Sequence, residues 1–326
     1  MDANSSKTIP VVLGCSDIYL KYAAVTIQSV LENCSPDYEY KFYMLVDSRK
    51  VTPDKREEFL KLRTARGIKF DINFLSISDD SLPELPVIAQ VSRESYFRLL
   101  IPDLISHDKV IYLDCDVIVK EDISLLFNHD LGNNLVAAVR DMFSLDFKRY
   151  VETLNINPDN YFNAGVMIIN NRLWKDLNIG YQCVNCLIER SDIKFMDQDA
   201  MNIICRDRVL YLDRKWNYVW YYSIEMVRLK GLLDPENQEL YQKLTHDFSI
   251  IHYTSAYKPW RNRYFKFADL WWKYAKMTSY YKQLFWGSEL ISRQFFRKLI
   301  GVNNIRISGE KYKILYLFFI KILFKV

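Results

Sequence analysis

Short apolar segments alternate with helix-like segments through the first 80 residues, and this alternation limits the folds open to the chain. Apolar runs at 9–13, 40–46 and 68–75 have the length and composition of buried strands. Between them, residues 18–34 carry apolar side chains at helical spacing, and the charged residues 53–66 predict a second helix. This order of strands and helices is typical of an α/β protein with a doubly wound, mostly parallel sheet.

The rest of the chain continues this pattern and predicts a Rossmann-like twisted sheet flanked by helices. Helices are predicted at 95–104 and 196–205, and strands at 109–113, 134–139, 165–170 and 250–252. Ligands of open parallel sheets bind at the carboxyl ends of the strands, so polar residues that end several strands should meet in one crevice. These residues are Ser16, Asp17, Asp114, Asp116, Asn163 and His252.

The turn after the first predicted strand lacks the glycines that usually hold a nucleotide phosphate. It contains the single glycine Gly14, followed by Cys15, Ser16 and Asp17, and the sequence has neither a G-x-G-x-x-G motif nor a P-loop. A nucleotide diphosphate bound here would need another source of positive charge. A divalent metal held by carboxylates is the obvious substitute.

The tripeptide Asp114-Cys115-Asp116 directly follows an apolar strand and supplies two such carboxylates. Alternate side chains of an extended segment point the same way, so both can reach one ion. The D-x-D pattern occurs again at Asp197 and Asp199, and acids of a solvated turn are the alternative interpretation. Apolar residues on both sides of Asp114 and Asp116 favour a buried pair, which a cation would stabilise.

Three basic or imidazole side chains are candidates for the same crevice. His252 ends an apolar strand, although a lone histidine there is more often a hydrogen-bonded core residue. Lys258 could bind a phosphate as a point charge, or could be an ordinary surface lysine. Arg98 could add a second cation, or could be a charge on a helix surface.

Charge is divided unequally along the chain. Residues 1–255 have a net charge of −8, whereas residues 256–326 have a net charge of +12 and 19 of the 49 aromatic residues. A basic, aromatic segment on an acidic body predicts contact with an anionic surface. A membrane is favoured over nucleic acid because the segment ends in aliphatic and phenylalanine residues.

The last sixteen residues predict an amphipathic helix that lies on a membrane rather than crossing it. On a helical wheel, Lys311, Lys313, Lys321 and Lys325 fall in one arc and apolar residues in the other. Basic residues at 289–300 add further charge. A helix docked on the protein's own body is the alternative. We identify no secretory signal, and the six cysteines are typical of reduced thiols. We therefore expect a cytoplasmic protein that is attached peripherally to the inner face of the membrane.

The order of motifs resembles glycosyltransferase family eight, the retaining UDP-hexose transferases that include bacterial lipopolysaccharide galactosyl- and glucosyltransferases. The resemblance extends from about residue 9 to residue 260. The motifs that carry it are Ser95-Tyr96-Phe97-Arg98-Leu99, Tyr112-Leu113-Asp114-Cys115-Asp116, Tyr161-Phe162-Asn163-Ala164-Gly165, Asp197-Gln198-Asp199 and His252-Tyr253 followed by Lys258-Pro259-Trp260.

The resemblance implies a fold, a reaction and a set of site residues. It implies a GT-A catalytic domain at 1–260, and the charge and apolar pattern of the remaining residues predict a helical, membrane-associating extension at 261–326. It also implies a UDP-hexose donor, a Mn²⁺ (or Mg²⁺) cofactor, and an oligosaccharide or lipid-linked glycan acceptor. Asp114, Asp116 and His252 would ligate the metal. The residues implied to contact the nucleotide or its phosphates are Gly14, Ser16, Asp17, Arg98, Asp114, Cys115 and Lys258. Asn163, Asp197 and Gln198, with Arg98, would line the donor sugar.

By the same resemblance, Gln198 would lie where a nucleophile would sit beneath the sugar, but an amide is a poor nucleophile. We therefore favour front-face transfer, in which the leaving phosphate assists the acceptor hydroxyl, over double displacement. The residues are compatible with either galactose or glucose. Two other functions are considered: a metal-dependent hydrolase of nucleotide sugars, and a catalytically silent membrane-bound binding protein.

Overall fold

The computed structural model describes residues 7–86, 93–141, 145–220, 247–254, 258–263, 266–287, 300–307, 310–317 and 320–325. The chain forms two compact units, residues 1–255 and 256–326, and each is described here by itself. The boundary lies five residues before the predicted one, which follows residue 260.

A seven-stranded sheet forms the centre of the first unit. Its strands are β1 (Lys7–Gly14), β2 (Tyr38–Asp47), β3 (Lys69–Ile77), β4 (Lys109–Leu113), β6 (Val136–Arg140), β7 (Phe162–Asn170) and β8 (Val209–Tyr211). Their order in the sheet is β3-β2-β1-β4-β7-β6-β8. The predicted strands at 9–13, 40–46, 68–75 and 109–113 are each present, with ends that differ by at most two residues.

The sheet is mostly parallel, as predicted, and β7 is the strand that runs against its neighbours. β1 pairs in parallel with β2 and β4, and β2 pairs in parallel with β3. β7 is antiparallel to both β4 and β6, whereas β6 and β8 are parallel. The beginning of β7 therefore reaches the same edge as the ends of β1 and β4, which brings its residues 162–165 to that edge.

Helices pack around this sheet. They are α1 (Leu20–Asn33), α2 (Pro53–Phe59), α3 (Ile101–Leu104), α4 (Ile123–Phe127), α5 (Leu145–Thr153), α6 (Asn171–Asp176), α7 (Ile179–Glu189) and α8 (Met196–Cys205). Short 3₁₀ helices occur at Asp79–Ser81, Arg93–Leu100, Pro158–Asn160 and Arg214–Asn217. The helix predicted at 53–66 ends at Phe59, and Arg63 Nη1 then donates to the carbonyls of Leu60 and Leu62 at 2.7 and 2.6 Å. The helix predicted at 95–104 is a 3₁₀ helix that continues into α3.

A small sheet lies beside the main one and carries a predicted site residue. Its strands are β5 (Val117–Val119), β9 (Tyr218–Val219) and β10 (Ile250–His252), in the order β5-β10-β9. Ile250 and Ile251 are fully buried, as are all three residues of β5. Burial of this strand pair fixes the position of His252 at the end of β10.

All six cysteines are free and buried. Burial raises the pKa of the Cys34 thiol to about 11 and that of Cys205 to about 12. The pKa of Cys183 is also raised by burial. The thiols of these three residues therefore remain protonated at neutral pH, and their redox state stays a prediction.

The second unit contains two helices and a three-stranded antiparallel sheet. The helices are α9 (Ala268–Ala275) and α10 (Tyr281–Gly287), and the strands are β11 (Ile300–Ile307), β12 (Glu310–Leu317) and β13 (Ile320–Lys325). No helix within the described ranges is long and apolar enough to cross a membrane.

The prediction of a C-terminal amphipathic helix is wrong, because residues 310–317 and 320–325 form strands. Two residues separate each strand from the next, as in β-hairpins. Isoleucine, tyrosine and phenylalanine also favour strands. The basic residues predicted to contribute at 289–299 lie outside the described residues.

Candidate active site

Backbone pairing brings two acids and a histidine together at the carboxyl edge of the main sheet. Asp114 follows β4, and its N–H donates to the carbonyl of Gly165 on β7 at 2.8 Å. Asp116 precedes β5, and its carbonyl accepts a hydrogen bond from the N–H of Tyr253 at 2.9 Å. His252 ends β10, which pairs with β5. The three side chains therefore depend on two sheets for their relative positions.

Asp114, Asp116 and His252 form a cluster of potential metal ligands. One ligand atom of each lies within 4.8 Å of the others. His252 Nε2 is 3.1 Å from Asp116 Oδ1 and 3.7 Å from Asp114 Oδ2. Two carboxylates and an imidazole are a donor set that Mn²⁺ and similar divalent ions accept. The histidine is buried and the acids are partly exposed, so these residues fit a cation that a ligand could approach from the side of the acids.

Gly165 provides the space that this cluster occupies. A Cβ added at Gly165 would overlap the His252 ring and would lie 2.7 Å from Asp114 Oδ2. A side chain at this position would therefore displace two members of the cluster. The glycine of the Asn163-Ala164-Gly165 motif is required here for close approach and not for an unusual backbone angle.

Arg98 connects the acids of the edge. It donates from Nη2 to Asp114 Oδ1 at 3.0 Å and from Nη1 to the carbonyl of Ala164 at 2.7 Å, and its Nε lies 3.0 Å from Asp197 Oδ2. Its guanidinium also lies over the Tyr112 ring at 4.4 Å. Burial alone would lower its pKa, but these neighbours raise the pKa overall, so Arg98 stays charged. The alternative of a helix-surface charge is wrong, because Arg98 is buried.

Asp197, in the first turn of α8, is buried and has a raised pKa. Burial raises its pKa to about 6, with the like charge of Asp114 adding to the effect and Arg98 opposing it. A carboxyl group with this pKa changes its charge near neutral pH. Perturbed groups of this kind cluster at functional sites, although structural ion pairs produce them too.

Asp199, the second acid of that motif, has a structural role. It is fully buried and accepts hydrogen bonds at 2.5 Å from the hydroxyls of both Tyr150 and Tyr161. It also accepts from the backbone N–H groups of Lys194 and Phe195 at 2.8 and 2.7 Å. These contacts hold the start of α8 and, with it, the residues that precede Asp199.

Two side-chain amides are fixed by the backbone of β7 and share one carboxylate. Gln198 Oε1 accepts from the N–H of Ala164, and Asn163 Oδ1 accepts from the N–H of Gly165, both at 3.0 Å. The amide nitrogens of Gln198 and Asn163 both donate to Asp141 Oδ2, at 3.1 and 3.0 Å respectively. The two amides predicted to line the donor sugar therefore have fixed orientations.

Asn217 extends this network to the metal-ligand cluster. Its Nδ2 donates to Asn163 Oδ1 at 2.8 Å, and its Oδ1 lies 3.0 Å from His252 Nδ1. A hydrogen-bonded chain therefore runs from Asp141 to His252.

Comparisons with known proteins agree with this geometry. The model of Glycosyl transferase family 8 matches residues 10–263, more than three quarters of the chain. The chain belongs to glycosyltransferase family 8. It is 30% identical over 264 residues to the lipopolysaccharide 1,2-glucosyltransferase of Escherichia coli K12, covering 79% of this chain and 74% of that protein. It is 29% identical over 258 residues to general stress protein A of Bacillus subtilis 168, and this match covers 77% of this chain and 87% of that protein.

Solved structures show the same architecture. The galactosyltransferase LgtC, in complex with donor and acceptor sugar analogs, superposes with a TM-score of 0.69 and 26% identity, covering 83% of this chain and 96% of that one. The bifunctional glycosyltransferase WbbM superposes with a TM-score of 0.73 and 26% identity over 88% of this chain, which spans 53% of that protein. The fold of this family 8 member is therefore of the GT-A type, whose enzymes use a nucleotide-sugar donor and a divalent metal.

Several residues predicted to contact the nucleotide lie at the end of β1 or next to it in this family 8 protein. A Cβ at Gly14 would lie 2.8 Å from a carbonyl oxygen of the neighbouring 3₁₀ helix, so the glycine permits close packing. Cys115 Sγ donates to the carbonyl of Gly14 at 3.4 Å. Asp17 forms an ion pair with Lys55 at 2.7 Å, and Ser16 lies between Gly14 and Asp17 in the same turn. Contacts of these residues with a nucleotide stay predictions.

Lys258 belongs to the second unit, where it is buried and lies 5.7 Å from the centre of the Trp260 ring. The alternative of an ordinary surface lysine is therefore wrong. Its contact with a diphosphate stays a prediction.

Sequence reasoning missed Asp141 and Asn217. Asp141 directly follows β6, so the rule that polar residues at strand ends converge could have identified it. Asn217 ends a 3₁₀ helix that no sequence pattern predicted, and its partner Asn163 is 54 residues away along the chain.

Proposed function

We propose that this family 8 protein is a retaining, Mn²⁺-dependent transferase that moves galactose or glucose from a UDP-sugar to the sugar of a membrane-linked glycan. The observation that carries the proposal is the cluster of Asp114, Asp116 and His252 at the carboxyl edge of a GT-A sheet. An acceptor of the lipopolysaccharide or capsule-precursor type is supported by the likeness to a lipopolysaccharide 1,2-glucosyltransferase.

Asp114, Asp116 and His252 would hold Mn²⁺ (or Mg²⁺). When bound, the ion supplies positive charge to the diphosphate as UDP departs. Arg98 contributes by holding two acids in fixed positions: Asp114, a member of the cluster, and its neighbour Asp197. Lys258 would add a further cation at the diphosphate.

The amides of Asn163 and Gln198, together with Asp197, would position the donor sugar and stabilise the positive charge that develops on it. The Gln198 oxygen already accepts a backbone hydrogen bond from Ala164, and an amide oxygen is a weak nucleophile. Both facts favour front-face transfer, in which the departing phosphate takes the proton of the acceptor hydroxyl. Retention then follows because the new bond forms on the face that UDP leaves.

The second unit would bring the site to its acceptor. Its basic sequence and its strands β11 to β13 would contact the anionic cytoplasmic leaflet, which makes the protein a peripheral membrane protein. Nucleic acid is not among the proposed partners.

The proposal is tested by incubating the protein with UDP-glucose or UDP-galactose, with and without saccharide acceptors, in Mn²⁺ or in EDTA. We expect acceptor-dependent release of UDP in Mn²⁺, loss of activity in EDTA and recovery when Mn²⁺ is restored. Nuclear magnetic resonance of the product should show the anomeric configuration of the donor. Release of UDP at the same rate without acceptor would indicate a hydrolase, and full activity in EDTA would exclude the metal assignment.

A further inference from the structure

The orientation of each amide in the chain from Asp141 to His252 follows from two backbone groups. A backbone N–H can only donate, so the Asn163 atom that lies 3.0 Å from the N–H of Gly165 must be an oxygen. That same oxygen lies 2.8 Å from the amide of Asn217, so the Asn217 atom facing it must be the NH₂ nitrogen. The Asn217 oxygen is thereby directed at His252.

This orientation determines which nitrogen of His252 carries the proton. The Asn217 oxygen can only accept, and it lies 3.0 Å from His252 Nδ1, so Nδ1 must be the donor. In the neutral ring, Nε2 then has a free electron pair. That pair faces the carboxylates of Asp116 and Asp114 at 3.1 and 3.7 Å.

The opposite tautomer would compete with a metal. With its proton on Nε2, His252 would donate a hydrogen bond to Asp116 across the same 3.1 Å and would have no electron pair there for an ion. With its proton on Nδ1, the ring presents its electron pair to the position between itself and the acids. The hydrogen bond to Asn217 favours the second arrangement, as outer hydrogen bonds do for metal-ligating histidines in general.

We propose that Asn217 is a positioning residue that holds His252 in the tautomer and orientation required for metal binding. The inference rests on the proposed metal site. Asn217 acts through His252, and its second contact, with Asn163, fixes which of its own amide atoms faces the ring.

Two substitutions at this position separate its contributions. Asn217→Ala removes the acceptor of the Nδ1 proton. Asn217→Asp keeps an oxygen acceptor for the Nδ1 proton but removes the donor to Asn163 Oδ1, so it should preserve the tautomer while losing the contact with Asn163. Asn171→Ala is the matched control, because Asn171 and Asn217 are both 3% exposed and Asn171 donates to the carbonyls of Ile105 and His107, away from the cluster. His252→Ala serves as the reference for loss of a ligand.

Two measurements test the proposal on the full chain without substrate. Isothermal titration should show that Asn217→Ala binds Mn²⁺ with an affinity about 10- to 100-fold lower than that of the wild type. This is the usual effect of losing an outer partner of a metal ligand. Asn171→Ala should stay near the wild-type affinity, and Asn217→Asp, which keeps the acceptor for the Nδ1 proton, should bind Mn²⁺ more tightly than Asn217→Ala. In the metal-free protein, ¹⁵N correlation spectra of the four histidines should show the His252 proton on Nδ1 in wild type and Asn217→Asp, and partly or wholly on Nε2 in Asn217→Ala.

Failure of the inference is distinguishable from failure of the metal site. If His252→Ala loses Mn²⁺ while Asn217→Ala binds it like wild type, Asn217 does not position the ligand. A neutral His252 ring in the wild-type protein whose single proton lies on Nε2 would overturn the inference by itself. If His252→Ala binds Mn²⁺ like wild type, the proposed metal site is wrong and the inference fails with it.

Discussion

At the scale of the residue, the site depends on two carboxylates and an imidazole close enough together to share one cation. Replacing Asp116 by Asn removes one charged ligand and keeps the shape of the side chain. We expect transfer to fall by at least about 100-fold, because a metal ligand is lost, while the melting temperature in EDTA stays near wild type. The measurement is Mn²⁺-dependent transfer from the UDP-sugar. Asp207→Asn is the control, since Asp207 has an 88% exposed side chain and should keep full activity. Normal activity in Asp116→Asn would contradict the ligand assignment.

A second prediction at this scale concerns the space beside the ligands. In Gly165→Ala the new methyl group would displace His252 and Asp114, so Mn²⁺ affinity should fall by about tenfold or more, an effect comparable to losing an outer partner of a ligand. Isothermal titration measures this affinity. Gly287→Ala is the control, because nothing lies within 4 Å of a Cβ there. Equal affinities in the two variants would show that the cluster tolerates the methyl group.

The ionisation of Asp197 gives a prediction about stability and pH. Its folded-state pKa is raised from 3.8 to about 6, so its contribution favours folding below pH 4 and is lost as the pH rises through 6. Asp197→Asn lacks this dependence. The free energy of unfolding of wild type minus that of Asp197→Asn should therefore fall by about 2 kcal/mol from pH 4 to pH 7. Urea unfolding at several pH values measures it, and a difference that is independent of pH would show that burial does not raise this pKa.

At the scale of the element, α7 packs directly against the 3₁₀ helix that carries Arg98. A Cβ at Gly180 would overlap the carbonyl oxygen of Leu99. Gly180→Ala should therefore separate the two helices and lower the free energy of unfolding by about 1–3 kcal/mol, as overpacking does. Urea unfolding measures the loss. Gly132→Ala makes a useful comparison, because its destabilisation would come from a positive φ of 51° and not from a clash. A variant at Gly180 as stable as wild type would mean that the helices adjust freely.

Some helices and strands were predicted correctly from the sequence, whereas the C-terminal strands were not. β4 and α8 have the predicted bounds because each is a run of one periodicity between clear boundaries. The C-terminal strands were predicted as a helix because a segment rich in apolar residues with scattered lysines fits both periods. Pairing with the adjacent residues 300–307 distinguishes the two, because it forms an antiparallel ladder that a helix could not form.

The site was predictable to the extent that its residues end strands. Asp114, Asp116 and His252 were identified by position, and the structure brings them together. Asn217 was not, because its function depends on a neighbour 35 residues away, His252, and on an amide orientation set by a third segment. Such contacts have no period and no motif within a single sequence.

At the scale of the whole molecule, the proposed membrane contact can be assigned to one face of the C-terminal sheet. By strand register, Arg306, Lys311 and Lys313 share a face, whereas Lys321 and Lys325 share the other face with Glu310. We expect Lys311→Glu combined with Lys313→Glu to weaken binding to anionic vesicles by about tenfold or more, at about 1 kcal/mol per basic residue. Sedimentation with vesicles measures this binding.

The matched control for that experiment is Lys321→Glu combined with Lys325→Glu, which makes the same change in net charge on the other face. A smaller effect is expected from it. Equal losses in the two double variants would show that net charge alone governs attachment, and vesicle binding unchanged in both would show that the sheet does not meet the membrane.

The six buried thiols have a consequence for how the protein tolerates oxidants. An oxidant reaches a buried thiol only when the surrounding structure opens, and it reacts only with the deprotonated form, which the raised pKa of Cys34, Cys183 and Cys205 also disfavours. Resistance to oxidation is therefore set by the frequency of local unfolding and not by the redox potential of the surroundings. Cys115 lies between two proposed metal ligands, so an ion that restrains this loop would also slow the chemical ageing of the enzyme.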